Sequence, residues 1–176
     1  MMAKQARGQM FSYDFLFSSI GLLMLLSLYI YSATAVTDKM DEAELRAEME
    51  EAAQISAGSL LQTPGDPSNW ELAPINATGV RALGLVNTRD ALDPDKAAAF
   101  FSITSGDAQY NATLPILGLS RRAYAYNASL EYLNGTVIYS IARLPPSGIN
   151  QSIPAERFAM LNGTMVRFKM VVWREN

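Results

Sequence analysis

The sequence predicts an α+β protein in which a long N-terminal helix precedes a small antiparallel β head domain with one short helix. Three observations predict this class: an uncharged apolar run near the N-terminus, a helix-forming acidic stretch directly after it, and two Asn-Gly steps between alternating apolar runs. We expect a short basic segment at 1–8, a helix at 9–61 and a β-rich domain at 62–176.

The apolar run covers residues 15–37, and no charged residue lies between Asp14 and Asp38. As a helix with a rise of ~1.5 Å per residue it spans roughly 34 Å, enough to cross a hydrocarbon core of ~30 Å. Lys4 and Arg7 precede the run and mostly acidic residues follow it, so the N-terminus is expected in the cytoplasm and the head outside. The sequence therefore predicts a single-pass cell-membrane protein, with membrane lipid as a partner.

Cleavage behind the apolar run is the alternative to a retained helix. Residues 32–35 (Ser-Ala-Thr-Ala) form a weak cleavage site of the kind that ends a signal peptide. The run is longer than the roughly 7–15 apolar residues of an ordinary signal-peptide core, which favours retention.

The stretch after the run favours continuation of the same helix. Residues 38–51 hold seven acidic and two basic side chains, and good helix formers continue to about residue 59, so the helix is expected to end near residue 61. Apolar residues recur there at spacings of three and four, in two series: Met40, Ala43 and Ala47, then Leu45, Met49 and Ala52. Two prolines and a glycine within residues 63–68 then end the helix.

Two hairpins are expected in the head. Asn134-Gly135 separates apolar runs at 124–133 and 136–142, and Asn162-Gly163 separates runs at 157–161 and 164–173. Alternation in the last run predicts one buried face, formed by Val166, Phe168, Met170 and Val172, and one wet face, formed by Arg167, Lys169, Val171 and Trp173.

Two further elements are expected before the hairpins. Residues 81–86 form a short apolar stretch that predicts a strand. Asp93 as the N-cap, with Pro94 at the first helical position, predicts a short helix that ends near residue 103.

Six Asn-x-Ser/Thr sequons follow the apolar run. The candidate N-glycosylation sites are Asn76, Asn111, Asn127, Asn134, Asn150 and Asn162. Their modification requires an oligosaccharyl transferase as partner and a head outside the cytoplasm, in agreement with the charge bias. Two sequons coincide with Asn-Gly turns, which would place glycans at hairpin tips. The alternative is that sequons simply accompany Asn-rich turns.

Composition argues against catalysis. Cysteine and histidine are absent, which removes disulfides, thiolate chemistry, the usual general base and the commonest metal ligand. No phosphate-binding loop is present either. We expect no enzyme activity, no catalytic residue and no cofactor.

Two other classes of site are less well supported by the sequence. Asp90, Asp93 and Asp95 form an acidic group that suits a divalent cation, but a loop with a helix cap explains them without a metal. Residues 38–51 carry a net charge of −5 against −3 for the whole chain, which leaves no basic stripe for nucleic acid.

The N-terminus resembles the class III signal sequence of archaeal type IV pilin-like proteins. The resemblance rests on Arg7-Gly8-Gln9 and on residues 11–16 (Phe-Ser-Tyr-Asp-Phe-Leu), which enter the apolar helix. It implies that a prepilin peptidase cuts between Gly8 and Gln9 and removes the leader 1–8. The retained helix would then pack with other pilin-like subunits.

The acid of this motif departs from the family pattern. The family commonly has glutamate as the fifth mature residue, which is Tyr13 here, and the acid is Asp14 at the sixth. The resemblance implies that Asp14 neutralises the new α-amine of a neighbouring subunit, since an unpaired charge in an apolar bundle is costly. The alternative is an interfacial charge flanking the span.

A second pattern resembles the head of uncharacterised euryarchaeal proteins with the same signal. It comprises Thr63-Pro64-Gly65, Asn69-Trp70-Glu71, Leu83-Gly84-Leu85, Leu92-Asp93, Lys96, Leu161-Asn162-Gly163 and Val172-Trp173. The resemblance implies a minor or accessory subunit of an archaeal surface filament or related membrane machine.

Two features leave the assembly question open. Small residues in the apolar run predict close helix contacts, unless they are ordinary helix positions: Ser18, Ser19, Gly21, Ser27 and Ala33. The alternative function is a membrane-anchored, N-glycosylated binding or adhesion protein that does not polymerise. Its candidate contact residues are Tyr124, Tyr126, Tyr132 and Tyr139, half of which alternation would make core.

Overall fold

The protein is an α+β protein, as predicted. The computed structural model describes residues 5–72, 79–88, 91–104, 106–146 and 151–175. The chain divides into two units, residues 1–45 and residues 46–176. A single helix, α1 (Gln5–Gln62), supplies the described part of the first unit and the beginning of the second. It ends directly before the predicted Thr63-Pro64 break.

In the second unit, α1 contributes a buried stripe to the core. Met49, Ala53, Ala57 and Leu60 are fully buried, at the spacings of three and four that place residues on one helix face. The stripe begins at Met49. Met40, Ala43 and Ala47, which belong to the predicted apolar series, are exposed.

Within the described residues of the second unit, six strands form one sheet. They are β1 (Val86–Thr88), β2 (Ala91–Leu92), β3 (Tyr124–Tyr132), β4 (Val137–Ser140), β5 (Ser152–Leu161) and β6 (Thr164–Arg174). Their order is β1-β2-β5-β6-β3-β4, and all neighbours are antiparallel except the parallel pair β2 and β5.

One edge of this sheet is only partly covered. β2 pairs with Met160 and Leu161 at the end of β5, whereas β5 pairs with β6 along its whole length. Among the described strands, residues 152–159 of β5 therefore have a neighbour on one side. Pro154 lies in this stretch, a position typical of sheet edges because proline has no N–H to donate.

The predicted buried face of the last strand is confirmed. Val166, Phe168, Met170 and Val172 are fully buried. Alternation places Trp173 on the wet face, but this side chain is buried as well. The segment after β4 lies against that face, where the Asn127 Nδ2 donates a hydrogen bond to the Arg143 carbonyl at 2.6 Å.

Both predicted hairpins are present. The turn at Asn162-Gly163 joins β5 to β6, and the φ angles of 51° and 77° at these residues are those of the two-residue turn that matches strand twist. Gly135 has a φ of 87° in the turn between β3 and β4. The predicted helix is α2 (Pro94–Ile103), capped by Asp93, whose carboxylate accepts the backbone N–H of Asp95 at 2.9 Å.

Two local predictions differ from the structure. The strand expected at 81–86 is wrong for most of its length, because this segment bonds to the end of α1 and to Asp66 just beyond it rather than to a strand. The Leu85 N–H donates to the Leu60 carbonyl at 2.7 Å, and Ala82 makes an isolated bridge to Asp66. A further helix, α3 (Asp107–Ile116), is present that the sequence pattern does not predict.

Candidate functional site

The apolar run forms an exposed part of α1. Its large side chains have no partners in the described structure: Phe15 is 75% exposed, Leu25 69% and Tyr31 76%. Among the described residues, one helix is long and apolar enough to cross a membrane, and it is this one. Apolar surface on this scale is stable only against lipid or against other apolar surfaces.

Five of the hydroxyl groups within the run are satisfied inside the helix. The five residues are Ser19, Ser27, Ser32, Thr34 and Thr37. Each hydroxyl donates to a backbone carbonyl three or four residues earlier, and the shortest such bond of each residue measures 2.8 to 3.0 Å. A polar group in hydrocarbon needs an internal partner because no water is present to supply one. These side chains are therefore compatible with a lipid environment.

The predicted processing residues lie at the start of α1. Gly8 and Gln9 are within its first turns. Asp14 lies one residue before the apolar run, is exposed, and makes no ion pair with the residues that the structure describes. Its predicted partner is a neighbouring subunit, so its role stays a prediction.

Two of the six sequon residues occupy hairpin tips. Asn134 lies in the turn between β3 and β4, and Asn162 in the turn between β5 and β6; both are exposed. Because Tyr132 pairs with Val166 in the adjacent strand, the two tips lie at the same end of the sheet. This placement is the predicted one.

The other sequons differ in accessibility. Asn111 is exposed on α3, but the Thr113 hydroxyl of the same sequon is fully buried. Asn127 is half-buried in β3, and its Nδ2 is bound to the Arg143 carbonyl. Asn76 and Asn150 lie outside the described residues.

Several residues of the second sequence pattern meet where α1 ends. The Trp70 Nε1 donates to the Gly84 carbonyl at 2.8 Å. Gly84 lies so close to the α1 end that a Cβ there would stand 2.0 Å from the Thr63 carbonyl oxygen and 2.4 Å from the Gly65 nitrogen. The Lys96 side chain is buried and donates to the Pro64 carbonyl at 2.8 Å. We name these residues (Thr63, Pro64, Gly65, Trp70, Gly84 and Lys96) the junction cluster.

The contacts within the junction cluster are those that hold a fold together. Its polar contacts are hydrogen bonds to backbone carbonyls, including a second one from Lys96 to Val86 at 3.3 Å. A buried ammonium group that donates to carbonyls holds chain segments together, since unpaired carbonyls inside a protein are costly. The resemblance singled out these residues in the sequence, but it did not predict that they lie together in the structure.

The acidic group around Asp93 acts as a helix cap. Asp93 accepts hydrogen bonds from two backbone N–H groups of α2, while Asp90 lies outside the described residues. No group of three or more potential metal ligands occurs among the residues that the structure describes.

A cleft of about 220 Å³ lies between α1 and the segment that leads into β3. An ion pair between Glu48 and Arg122 is at its rim, and Ser56 donates to the Leu117 carbonyl at 2.9 Å beneath it. The lining carries charges of both signs, from Glu48, Glu51, Arg121 and Arg122.

Two of the four tyrosines considered as a binding surface belong to the core. Tyr124 and Tyr126 are buried, Tyr139 is half-buried with its ring stacked on Phe101 at 5.4 Å, and Tyr132 is 38% exposed. Burial raises the pKa of Tyr126 well above its usual range, although a hydrogen bond to Thr113 opposes this shift. The Tyr126 hydroxyl is therefore neutral and structural.

The described residues define an α+β protein in which one helix is long and apolar enough to cross a membrane and the second unit holds a mixed sheet. No protein family, no curated protein and no solved structure matches this chain.

Proposed function

We propose that this chain is a structural subunit of the type IV pilin-like class, a minor or accessory component of an archaeal surface filament or related membrane machine. The observation that supports this most is the exposed apolar part of α1, together with the continuation of the same helix into the core of the second unit. In this proposal the helix anchors the protein in lipid and later packs against neighbouring subunits.

The orientation follows from charge and sequons. Lys4 and Arg7 remain in the cytoplasm, and residues 46–176 face the outside of the cell, where the sequons meet an oligosaccharyl transferase. A prepilin peptidase removes residues 1–8, and Gln9 becomes the first residue of the mature protein.

Mass spectrometry of the membrane-extracted protein tests the processing step. We expect loss of residues 1–8 in the wild type, and retention of them after Gly8→Leu because the peptidase site no longer fits. Gly21→Leu is the matched control: this glycine lies in the same helix, and a Cβ at this position meets nothing within 4 Å, so cleavage should proceed. An intact leader in the wild type would favour the plain membrane anchor.

Cross-linking in intact membranes tests assembly. We expect Asp14→Asn to be processed normally but to form fewer cross-linked oligomers, since the neighbouring α-amine loses its counter-charge. Normal processing with no oligomer in either form would instead support the second candidate, a non-polymerising binding or adhesion protein. That candidate is favoured by one observation, the exposed apolar side chains of the second unit.

A further inference from the structure

An exposed apolar patch lies on the outer face of the sheet, at its hairpin-tip end. Val137 pairs with Glu131, Met160 pairs with Met165, and Phe158 pairs with Arg167, so these side chains share one face. The residues are 37 to 64% exposed, and with Leu133 from the turn we name them the outer apolar patch: Leu133, Val137, Phe158, Met160 and Met165.

The two hairpin-tip sequons border this patch directly. Asn134 follows Leu133, and Asn162 lies between Met160 and Met165 in the chain. The other face of the sheet is the core, where Phe168 and Leu130 are fully buried. A bulky group on either asparagine therefore extends from the same sheet end as the patch.

Both tip sequons present the groups that a transferase must reach. The Asn134 Oδ1 accepts the Thr136 backbone N–H at 2.9 Å, and no described residue binds its Nδ2. Asn162 is exposed and makes no described side-chain hydrogen bond, and the hydroxyl residues Thr136 and Thr164 are exposed.

The sequons on α3 and in the middle of β3 lack this accessibility. The Thr113 hydroxyl is bound to the Tyr110 carbonyl at 2.7 Å and to the Tyr126 hydroxyl at 2.8 Å inside the core. The Asn127 Nδ2 is bound at 2.6 Å to the Arg143 carbonyl. In the folded unit neither sequon offers its amide and its hydroxyl together.

We propose that Asn134 and Asn162 are the N-glycosylated residues among the four described sequons, and that their glycans cover the outer apolar patch. The proposal rests on the proposed function in that residues 46–176 must face the transferase. The Asn Nδ2 attacks the anomeric carbon of a lipid-linked oligosaccharide and a nitrogen–carbon bond forms. The bond from that carbon to the phosphate oxygen breaks, the lipid phosphate leaves with the electron pair, and one Nδ2 proton passes to a base of the transferase.

Glycans over the outer apolar patch would reduce the tendency of the head to self-associate. Clustered apolar side chains on a surface promote association with other proteins. A hydrated glycan beside them would occupy the space above the patch, so that another protein could not pack against it. The ion pair between Glu131 and Arg167 at 2.8 Å lies within the patch and supplies polar groups that a sugar hydroxyl can bond.

Glycopeptide mapping of the full-length protein from its native membranes tests the assignment. We expect glycan on Asn134 and Asn162 and none on Asn111 or Asn127. Thr136→Ala and Thr164→Ala should each remove one glycan while leaving the turn asparagines in place, and Thr136→Ser should keep it. Glycan on Asn111 or Asn127, or bare asparagines at both tips, would overturn the proposal.

A second measurement addresses the covering role. The double variant Thr136→Ala with Thr164→Ala should bind more of an apolar fluorescent dye and self-associate more than the wild type in the same detergent. The double variant Thr136→Ser with Thr164→Ser should match the wild type. Equal dye binding and association in all three proteins would contradict coverage. Protease digestion of sealed membranes shows separately on which side of the membrane residues 46–176 lie. If they lie on the cytoplasmic side, the proposed function is refuted. If they lie outside but Asn134 and Asn162 carry no glycan, only this inference is refuted.

Discussion

The Tyr110 hydroxyl satisfies two backbone groups of β3 that have no neighbouring strand. It donates to the Tyr126 carbonyl at 2.8 Å and accepts the Tyr126 backbone N–H at 2.7 Å. β4 pairs with only Ser129, Leu130 and Glu131 of β3, so the backbone groups of Tyr126 on that side would otherwise have no strand partner. The Tyr110 hydroxyl therefore replaces a strand at this position.

Replacing Tyr110 by phenylalanine should destabilise the second unit. The change leaves a buried N–H and a buried carbonyl of Tyr126 unpaired, and we expect a loss of about 1–3 kcal/mol in the free energy of unfolding. Denaturant unfolding of the full chain in detergent measures it. Tyr139→Phe is the control, because no described residue binds the Tyr139 hydroxyl. Equal losses in both variants would contradict the role of the Tyr110 hydroxyl.

A pH-dependent contribution is expected from Glu131. The hydrogen bond from Arg167 lowers the pKa of this carboxyl, with a further bond from Ser129 in the same direction. A lowered pKa in the folded state adds stability at neutral pH, and that stability is lost as the pH falls through the folded-state value.

The expected result is a difference between wild type and Glu131→Gln that depends on pH. The variant should melt at a lower temperature at pH 7, and the two proteins should converge in acid below the lowered pKa of Glu131. Thermal unfolding across this pH range is the measurement. Glu156→Gln is the control, since Glu156 is 4.0 Å from Arg167 and should change the melting temperature less. A difference that stays constant with pH would speak against the ion pair.

At the scale of elements, the junction cluster fixes where α1 meets the sheet. Gly84 permits the close approach of two backbone segments, and Trp70 and Lys96 bond across it. The segment before β1 is therefore held by the helix end rather than by a strand ladder.

Gly84→Ala should be among the most disruptive single changes in the protein. A Cβ would lie 2.0 Å from a backbone oxygen that cannot rotate away, so the junction must open, at an expected loss of more than about 3 kcal/mol. Gly58→Ala is the matched control within α1, where a Cβ meets nothing within 4 Å. That change should raise stability by about 0.5–1 kcal/mol, because alanine favours helix. Measured losses of similar size for both variants would contradict this account.

The sequence predicted the elements whose signals are local. Each of these signals acts within a few residues. The Asn-Gly turns predicted the hairpins, the Asp93-Pro94 cap predicted α2, and the Thr63-Pro64 break predicted the end of α1. The sequence did not predict that residues 81–85 bond to the end of α1 and to Asp66 after it, because a short apolar stretch looks the same whether a strand or a helix end will be its partner. The α3 helix was missed because its buried face is short and includes Thr113.

The candidate sites were predictable to different degrees. The apolar run and the sequon positions are readable from the sequence, whereas the accessibility of each sequon is not. Asn127 and Asn134 have the same motif, yet Asn127 is engaged by the Arg143 carbonyl, which is distant from it in sequence.

At the scale of the whole molecule, the exposed apolar part of α1 should decide where the protein resides. Leu25→Arg with Leu26→Arg places charge at its centre, at a cost of about 2.5–3.5 kcal/mol per residue for membrane insertion. We expect the wild type to remain in the membrane pellet after alkaline extraction and the double variant to be released. Leu25→Ile with Leu26→Ile should behave as the wild type. Full retention of the arginine variant would argue against a spanning segment.

The partly covered edge of β5 has a consequence for how copies of this chain can join. A proline amide has no hydrogen to donate, and Pro154 interrupts the row of donors that an added strand would use. Addition of a strand from another copy along this edge of β5 is thus disfavoured. In the proposed assembly, contacts between copies would then fall to the apolar part of α1 rather than to this edge, and mild detergent should separate the copies while their second units stay folded.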